Sequence, residues 1–319
     1  MIMSKSKIGI VLLTAICLSY LMFLGWEDRA SIFTAMTKIS PAGVMLVLGL
    51  SLANYLIRFA RWHWYLTHLG YHVPLPTGLR YYLAGFTFTV TPGKVGEAVR
   101  SIYLKRHGIP YAESLSAFFA ERLSDVIAMI LLSCLAAFQF PQYRILVGVI
   151  VLATLLFLLA IQQQSALTRL QTAVTGWTGT RVRKIIDQLF LLVISAARLL
   201  RVKMLFIGLV LGVVAWGAEG LAFYYILRFL HIDSSVGMAI SIYSISLLLG
   251  ALSFLPAGLG STEAVMVILL VLTGAGHGSA IAATVICRVT TLWFAVVLGS
   301  AAMLGTPAIG SVRSANRDN

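Results

Sequence analysis

Seven ionisable side chains in this sequence stand inside apolar runs: Glu97, Glu121, Arg122, Asp125, Glu219, Glu263 and Arg288. On insertion scales a charge at the centre of a membrane helix costs about 2.5–3.5 kcal/mol, so seven of them must meet one another or line water. Glu121 and Asp125 are four residues apart and share a helix face; Arg122 and Asp125, three apart, can pair along it. One chemistry open to this set is a charged cavity. Arg122 and Arg288 would attract an anionic headgroup there, while the carboxylates hold those arginines or carry protons. The plainer reading is a set of structural ion pairs. Glu219 has no cation near it in sequence, so proton carriage and a structural hydrogen bond both stay open for it.

The charges sit in a pattern that occurs twice. Thr91-Pro92-Gly93-Lys94-Val95-Gly96-Glu97-Ala98-Val99-Arg100 has an imperfect copy in Leu255-Pro256-Ala257-Gly258-Leu259-Gly260-Ser261-Thr262-Glu263. Each places a Pro/Gly break between apolar segments, then a carboxylate, then a helix bearing an arginine. Glu97 precedes Arg122 by 25 positions, and Glu263 precedes Arg288 by the same 25. A repeated helix break with paired charges points to a polar site at membrane depth built from two related halves. Limbs starting at Lys94 and Ser261 would aim backbone N–H groups into the bundle, where they suit phosphate or carboxylate; ordinary tight turns are the alternative.

The elements that must position these residues follow from hydropathy. The chain is 59% hydrophobic and 11% charged with mean hydropathy +0.92, which marks an integral membrane protein. The expected fold is an all-α polytopic bundle of about six full spans plus two re-entrant hairpins in an inverted repeat. The spans are 7–25, 41–60, 114–138, 145–161, 204–230 and 280–304, in a single domain over 1–319. Limbs 79–91 and 94–104 would reach roughly 16–20 Å, short of a hydrocarbon core of about 30 Å, so residues 79–104 should enter and return on one side. Residues 238–273 form the second hairpin, its first limb nearly long enough to cross. The first repeat covers 41–138 and the second 204–304. Between them 162–203 reads as a basic amphipathic connector on the cytoplasmic surface, interrupted by Asp187. Gly208 and Gly212 suit close helix packing.

The net charge is +13. Of the 24 Lys and Arg, Arg29, Lys38, Arg144 and Arg228 fall on one side, Arg122 and Arg288 within spans, and the rest on the N-terminal side, which places both termini in the cytoplasm. Basic residues flanking hydrophobic spans suit anionic lipid and leave no role for nucleic acid. Arg58 and Arg61, beside Trp62 and Trp64, read first as cations snorkelling to lipid phosphate, and otherwise as headgroup capture at a cavity mouth. His68 and His72 have ligand-like spacing but no acidic partner, and Pro74 intrudes, so no metal is expected. Cys17, Cys134 and Cys287 are scattered in apolar runs and read as inert. Lys5 and Lys7 lead an apolar run without a small-x-small cleavage site, so it reads as an uncleaved first span. The sequence holds no P-loop, nucleophile elbow or dinucleotide motif, and neither enzyme activity nor a cofactor is expected.

Arg58-x-x-Arg61-Trp62, Thr91-Pro92-Gly93-x-x-Gly96-Glu97-x-x-Arg100, Glu121-Arg122-x-x-Asp125, Leu255-Pro256-x-Gly258-x-Gly260-x-x-Glu263 and Arg288 together resemble a known family. It is the flippase-like membrane domain of lysylphosphatidylglycerol synthases, also found as stand-alone proteins, and the resemblance covers nearly the whole chain. It implies a multi-pass protein of the bacterial inner membrane that moves a lipid with an anionic or phosphate headgroup between leaflets. The sequence given reaches Asn319 without an aminoacyl-transferase domain, so lysine transfer is not implied. Ala257 stands where the family often has glycine. The substrate-binding candidates are Arg58, Arg61, Pro92, Gly93, Gly96, Glu97, Arg100, Glu121, Arg122, Asp125, Glu219, Pro256, Gly258, Gly260, Glu263 and Arg288. The alternatives to a lipid translocator are a proton- or ion-coupled transporter of a small anion, which requires a sealed cavity, and a non-transporting subunit. Membrane lipids are the expected partners, with a homo-oligomer or a lipid-modifying enzyme left open.

Overall fold

The computed structural model describes residues 29–90, 95–138, 144–145, 148–149, 151–154, 156, 199, 201–253 and 255–306. Among these residues the structure is helical, without a β-strand. The helices are α1 (Arg29–Lys38), α2 (Pro41–His68), α3 (Leu75–Phe86), α4 (Arg100–Leu104), α5 (Tyr111–Ser133), α6 (Val202–Phe229), α7 (Val236–Leu252), α8 (Ser261–Leu272), α9 (His277–Arg288) and α10 (Phe294–Leu304). The first expected span, 7–25, lies outside the described residues, as do most of the fourth and nearly all of the 162–203 connector.

Among the described residues, three helical segments are long and apolar enough to cross a membrane: Pro41–His68, Val202–Phe229 and the continuous His277–Leu304. Among the described residues the interior holds two apolar clusters with a set of buried charged side chains between them, while Met45, Leu56, Phe206, Leu252, Leu272 and Val297 are exposed on the outside.

Local sequence explains the element ends. Ser40 caps α2, its hydroxyl accepting from Gly43 N at 3.2 Å, with Pro41 in the first turn where a missing N–H costs nothing. The helix runs to His68, well past the expected end at 60, because the cations near its end are neutralised inside the bundle. α2 and α6 pack antiparallel, and α6 glycines make the contact. A side chain at Gly208 would strike the Tyr65 hydroxyl, and one at Gly212 would lie 3.0 Å from Arg61 Nη1.

The elements flanking each sequence break lie against one another. At the first, α3 packs on the 3-10 segment Val95–Val99 and on α4; Gly85 lies against the Glu97 carbonyl and Tyr81 stacks on Tyr103 at 5.2 Å. In the second, α7 and α8 run antiparallel, with Gly250 against Thr262 and the Ser253 and Ser261 hydroxyls 2.8 Å apart. Ala257 (φ 51°), Gly258 (φ 65°) and Gly260 (φ 84°) take left-handed conformations in this break, which only glycine adopts freely. The expected sixth span differs from an unbroken helix: Val289–Trp293 forms a π turn between α9 and α10.

Candidate functional site

The first hairpin, α2 and α5 bring four arginines and three carboxylates together. Asn54, Arg58, Arg61 and Tyr65 recur at helical spacing on the buried face of α2, and Glu121 and Asp125 on that of α5. Arg61 Nη2 reaches Asp125 Oδ1 at 2.5 Å and its Nη1 donates to the Gly208 carbonyl at 3.3 Å. Arg100 donates to Glu121 Oε2 and lies over the Tyr82 ring at 4.8 Å. Tyr82 Oη and Arg122 Nη2 donate to Glu121 Oε1 at 2.6 and 2.9 Å. Arg122 also lies 3.0 Å from Asp125 Oδ2 and 3.7 Å from Glu97 Oε2. Thr89 Oγ1 donates to Glu97 Oε1 at 2.7 Å, tying the carboxylate to the hairpin turn.

Arg58 is the exception. Its Nη2 stands 3.7, 3.8 and 4.0 Å from Asp125, Glu121 and Glu97, and neither Nε nor Nη2 has a hydrogen-bond partner among the described residues. Its side chain is 4% exposed, and its guanidinium lies over the Trp216 ring at 4.9 Å. This buried guanidinium is held by Coulomb attraction and keeps hydrogen-bonding capacity in reserve, the chemistry an anion would need.

The second hairpin repeats the pairing more tightly. Arg288 Nε donates to Glu263 Oε1 at 2.5 Å, and its Nη2 donates to the Ala257 carbonyl at 3.1 Å. Both pairs separated by 25 residues are therefore spatial neighbours. Glu263 Oε2 accepts from Gly260 N at 2.6 Å, capping α8. This alters the expected anion site at the start of α8: Gly260 N serves Glu263, and the N–H groups of Thr262 and Ala264 serve the carbonyls of Gly258 and Gly260. A carboxylate of the chain thus takes up part of the N–H capacity at this helix start.

Two cavities join the halves. One of about 180 Å³ has Arg122 and Asp125 on one wall and Arg288, Ala257 and Gly258 on the other, with Val126 and Leu255 at its margin, 39% and 45% exposed. A smaller one of about 40 Å³ is lined by Arg58, Arg288, Tyr55, Thr89, Glu219 and Tyr243, among others. Trp216, Leu247, Arg288 and Leu292 border both. Glu219 is buried and accepts a hydrogen bond from Tyr243 Oη. Tyr55 Oη donates to the Thr291 carbonyl at 2.5 Å, an acceptor within the π turn.

Of the sequence candidates, Arg58, Arg61, Glu97, Arg100, Glu121, Arg122 and Asp125 form the first cluster, and Glu263 and Arg288 the second pair. Gly258 and Arg288 line a cavity, and Glu219 lies on its neighbour. Pro256 and Gly260 shape the second break, and Gly96 belongs to the 3-10 segment. Pro92 and Gly93 are outside the described residues. The snorkelling reading of Arg58 and Arg61 is overturned: both are buried among carboxylates, Arg61 completely. Sequence reasoning missed Tyr82, Tyr243 and Trp216. Their aromatic bodies read as core, and only the nearby acids hint that a phenol must donate.

Comparison with known proteins matches residues 7–299 to the family described as the lysylphosphatidylglycerol synthase TM region. A UPF0104 membrane protein of Methanocaldococcus jannaschii is 22% identical over 325 aligned positions, covering 94% of this chain and 95% of that protein. Another UPF0104 membrane protein, from Pyrococcus horikoshii, is also 22% identical, covering 89% of this chain and 93% of its own length.

Proposed function

This chain belongs to the lysylphosphatidylglycerol synthase TM region family, and on that premise we propose that it moves a lipid with an anionic or phosphate headgroup between membrane leaflets. The observation that carries the reading is the 180 Å³ cavity between the halves, charged at its walls and apolar at its margin. Arg122, Arg288 and the neighbouring Arg58 give an anionic headgroup its counter-charge, while the exposed Val126 and Leu255 leave the acyl or prenyl chains in contact with bilayer. A small soluble anion has no use for such a margin, which favours the lipid over the alternative cargo.

In this reading the two broken hairpins are re-entrant halves of an inverted repeat, and rocking one against the other opens the site to each leaflet in turn. The 25-residue pairing in both halves supports that arrangement. The charge distribution supports cytoplasmic termini, and the family resemblance a bacterial inner membrane. No bond is made or broken, so the arginines bind and release without catalysis.

The test is a proteoliposome assay of headgroup translocation with wild type, Arg122→Ala and Arg288→Ala. The wild type should move anionic lipid, and each variant, compared at equal amounts of folded protein, should lose at least roughly tenfold in rate, equivalent to about 1.4 kcal/mol. Equal rates in all three would remove the arginine cavity from the mechanism.

A further inference from the structure

Charge accounting around the cavities singles out Glu219. Among the described residues, the first cluster sets four arginines against three carboxylates, a surplus of one positive charge. Arg288 and Glu263 balance each other. Among the described residues Glu219 is the remaining buried acid, and with the part-exposed Arg122 counted its ionised form makes the whole set neutral. Net charge in the bilayer interior is costly, and this balance therefore sets what else can enter. A headgroup carrying one negative charge would occupy the surplus at Arg58 and Arg122 and leave Glu219 as one charge too many.

Resting on the translocator reading above, we infer that Glu219 takes up a proton as the anionic headgroup binds and releases it as the headgroup leaves. The proton comes from water on the side from which the lipid enters and adds to a carboxylate oxygen; it returns to water when that oxygen is again needed as the counter-charge. Headgroup and proton bind with positive cooperativity because each removes the penalty the other would create. Translocation of a singly charged lipid then carries no net charge across the membrane.

The groups facing Glu219 suit this role. From α2 come Tyr55 and Arg58, from α7 Tyr243, and from α9 Arg288, with the buried Cys287 thiol in electrostatic reach. α5 sends its Arg122 and Asp125 to the adjoining cavity, which Trp216 also borders. Tyr243 can donate to the ionised carboxylate and, by rotating its hydroxyl, accept from the protonated one. The cavity of about 40 Å³ has room for a water that could pass the proton on.

The full chain in detergent is titrated calorimetrically with short-chain phosphatidylglycerol in two buffers of different ionisation heat, across mildly acidic to mildly alkaline pH. The wild type should take up about one proton per lipid, with affinity falling roughly tenfold per pH unit once Glu219 is ionised. Glu219→Gln should bind with no proton uptake and a flat pH dependence, and Glu219→Asp should restore the slope. Wild-type uptake is read without any variant, so a misfolded Gln variant leaves the test intact. Lipid binding without proton uptake, uptake that persists in Glu219→Gln, or dependence on sodium in place of pH would overturn the coupling and leave the translocator reading standing. Binding of no anionic lipid would overturn both. Inorganic phosphate tested alone should give no uptake; an equal response would assign the coupling to a free anion and overturn the lipid as cargo.

Discussion

Glu263 and Arg288 meet at 2.5 Å, and the other oxygen of the same carboxylate holds the Gly260 N–H at 2.6 Å. One side chain thus ties an arginine to the cap of the helix that follows the second break. Its counterpart Glu97 stands 3.7 Å from Arg122 and is held by Thr89. The second pair is the tighter, so the two halves are expected to answer mutation differently.

Removing one member of the tight pair should be a stability event. Arg288→Ala leaves a buried carboxylate without its main counter-ion, at a cost of about 3–5 kcal/mol. Thermal unfolding in detergent should show the loss, and the double variant Glu263→Gln/Arg288→Met should recover most of it. A double variant as unstable as the single one would mean the pair is not where the stability resides.

Arg58 and Arg61, neighbours on one face of α2, should separate binding from folding. Arg61→Gln deletes contacts to Asp125 and the Gly208 carbonyl and should destabilise by about 3–5 kcal/mol. Arg58→Gln removes a guanidinium whose Nε and Nη2 have no hydrogen-bond partner among the described residues, so its main effect should be on headgroup affinity, a fall of roughly tenfold or more. Lipid titration beside thermal unfolding checks both, and an unfolded Arg58→Gln with unaltered Arg61→Gln would reverse the assignment.

How much of this was legible follows from those residues. Apolar runs with long-range pairing at equal spacing pointed to the two carboxylate–arginine pairs, because a charge in oil always asks for a partner. Arg58 and Arg61 were misread because position along a helix was weighed over the face presented. The Gly208 and Gly212 recesses that admit Arg61 lie 147 or more residues away in sequence, beyond any local pattern. The π turn was equally invisible: the contact it makes, Tyr55 Oη to the Thr291 carbonyl, spans 236 residues of sequence.

Packing at the tip of the second hairpin gives a steric test. A methyl added at Gly250 would lie 1.9 Å from Thr262 Oγ1, so Gly250→Ala should cost about 1–3 kcal/mol, and Thr262→Ala should recover part of it. At Gly299 the obstruction is the backbone of α3, with Thr87 N 2.5 Å from the added carbon. Gly299→Ala should therefore have no comparable side-chain rescue. Unfolding temperatures of Gly250→Ala, Gly250→Ala/Thr262→Ala and Gly299→Ala decide it.

Topology is tested by single cysteines at Lys94 and Leu259, labelled with a membrane-impermeant thiol reagent from either face of oriented vesicles. Opposite sidedness is expected for an inverted repeat. Labelling of both from the same face would exclude it and leave the internal similarity as a parallel duplication.

The double grip of Glu263 has a mechanical corollary. Because one carboxylate clasps both a guanidinium and the first turn of α8, any tilt that draws the cation toward a cargo also tugs at the helix start. The second insert would then behave as a latch, whose release is felt at once by the charge that greets the lipid and by the rod that must swing.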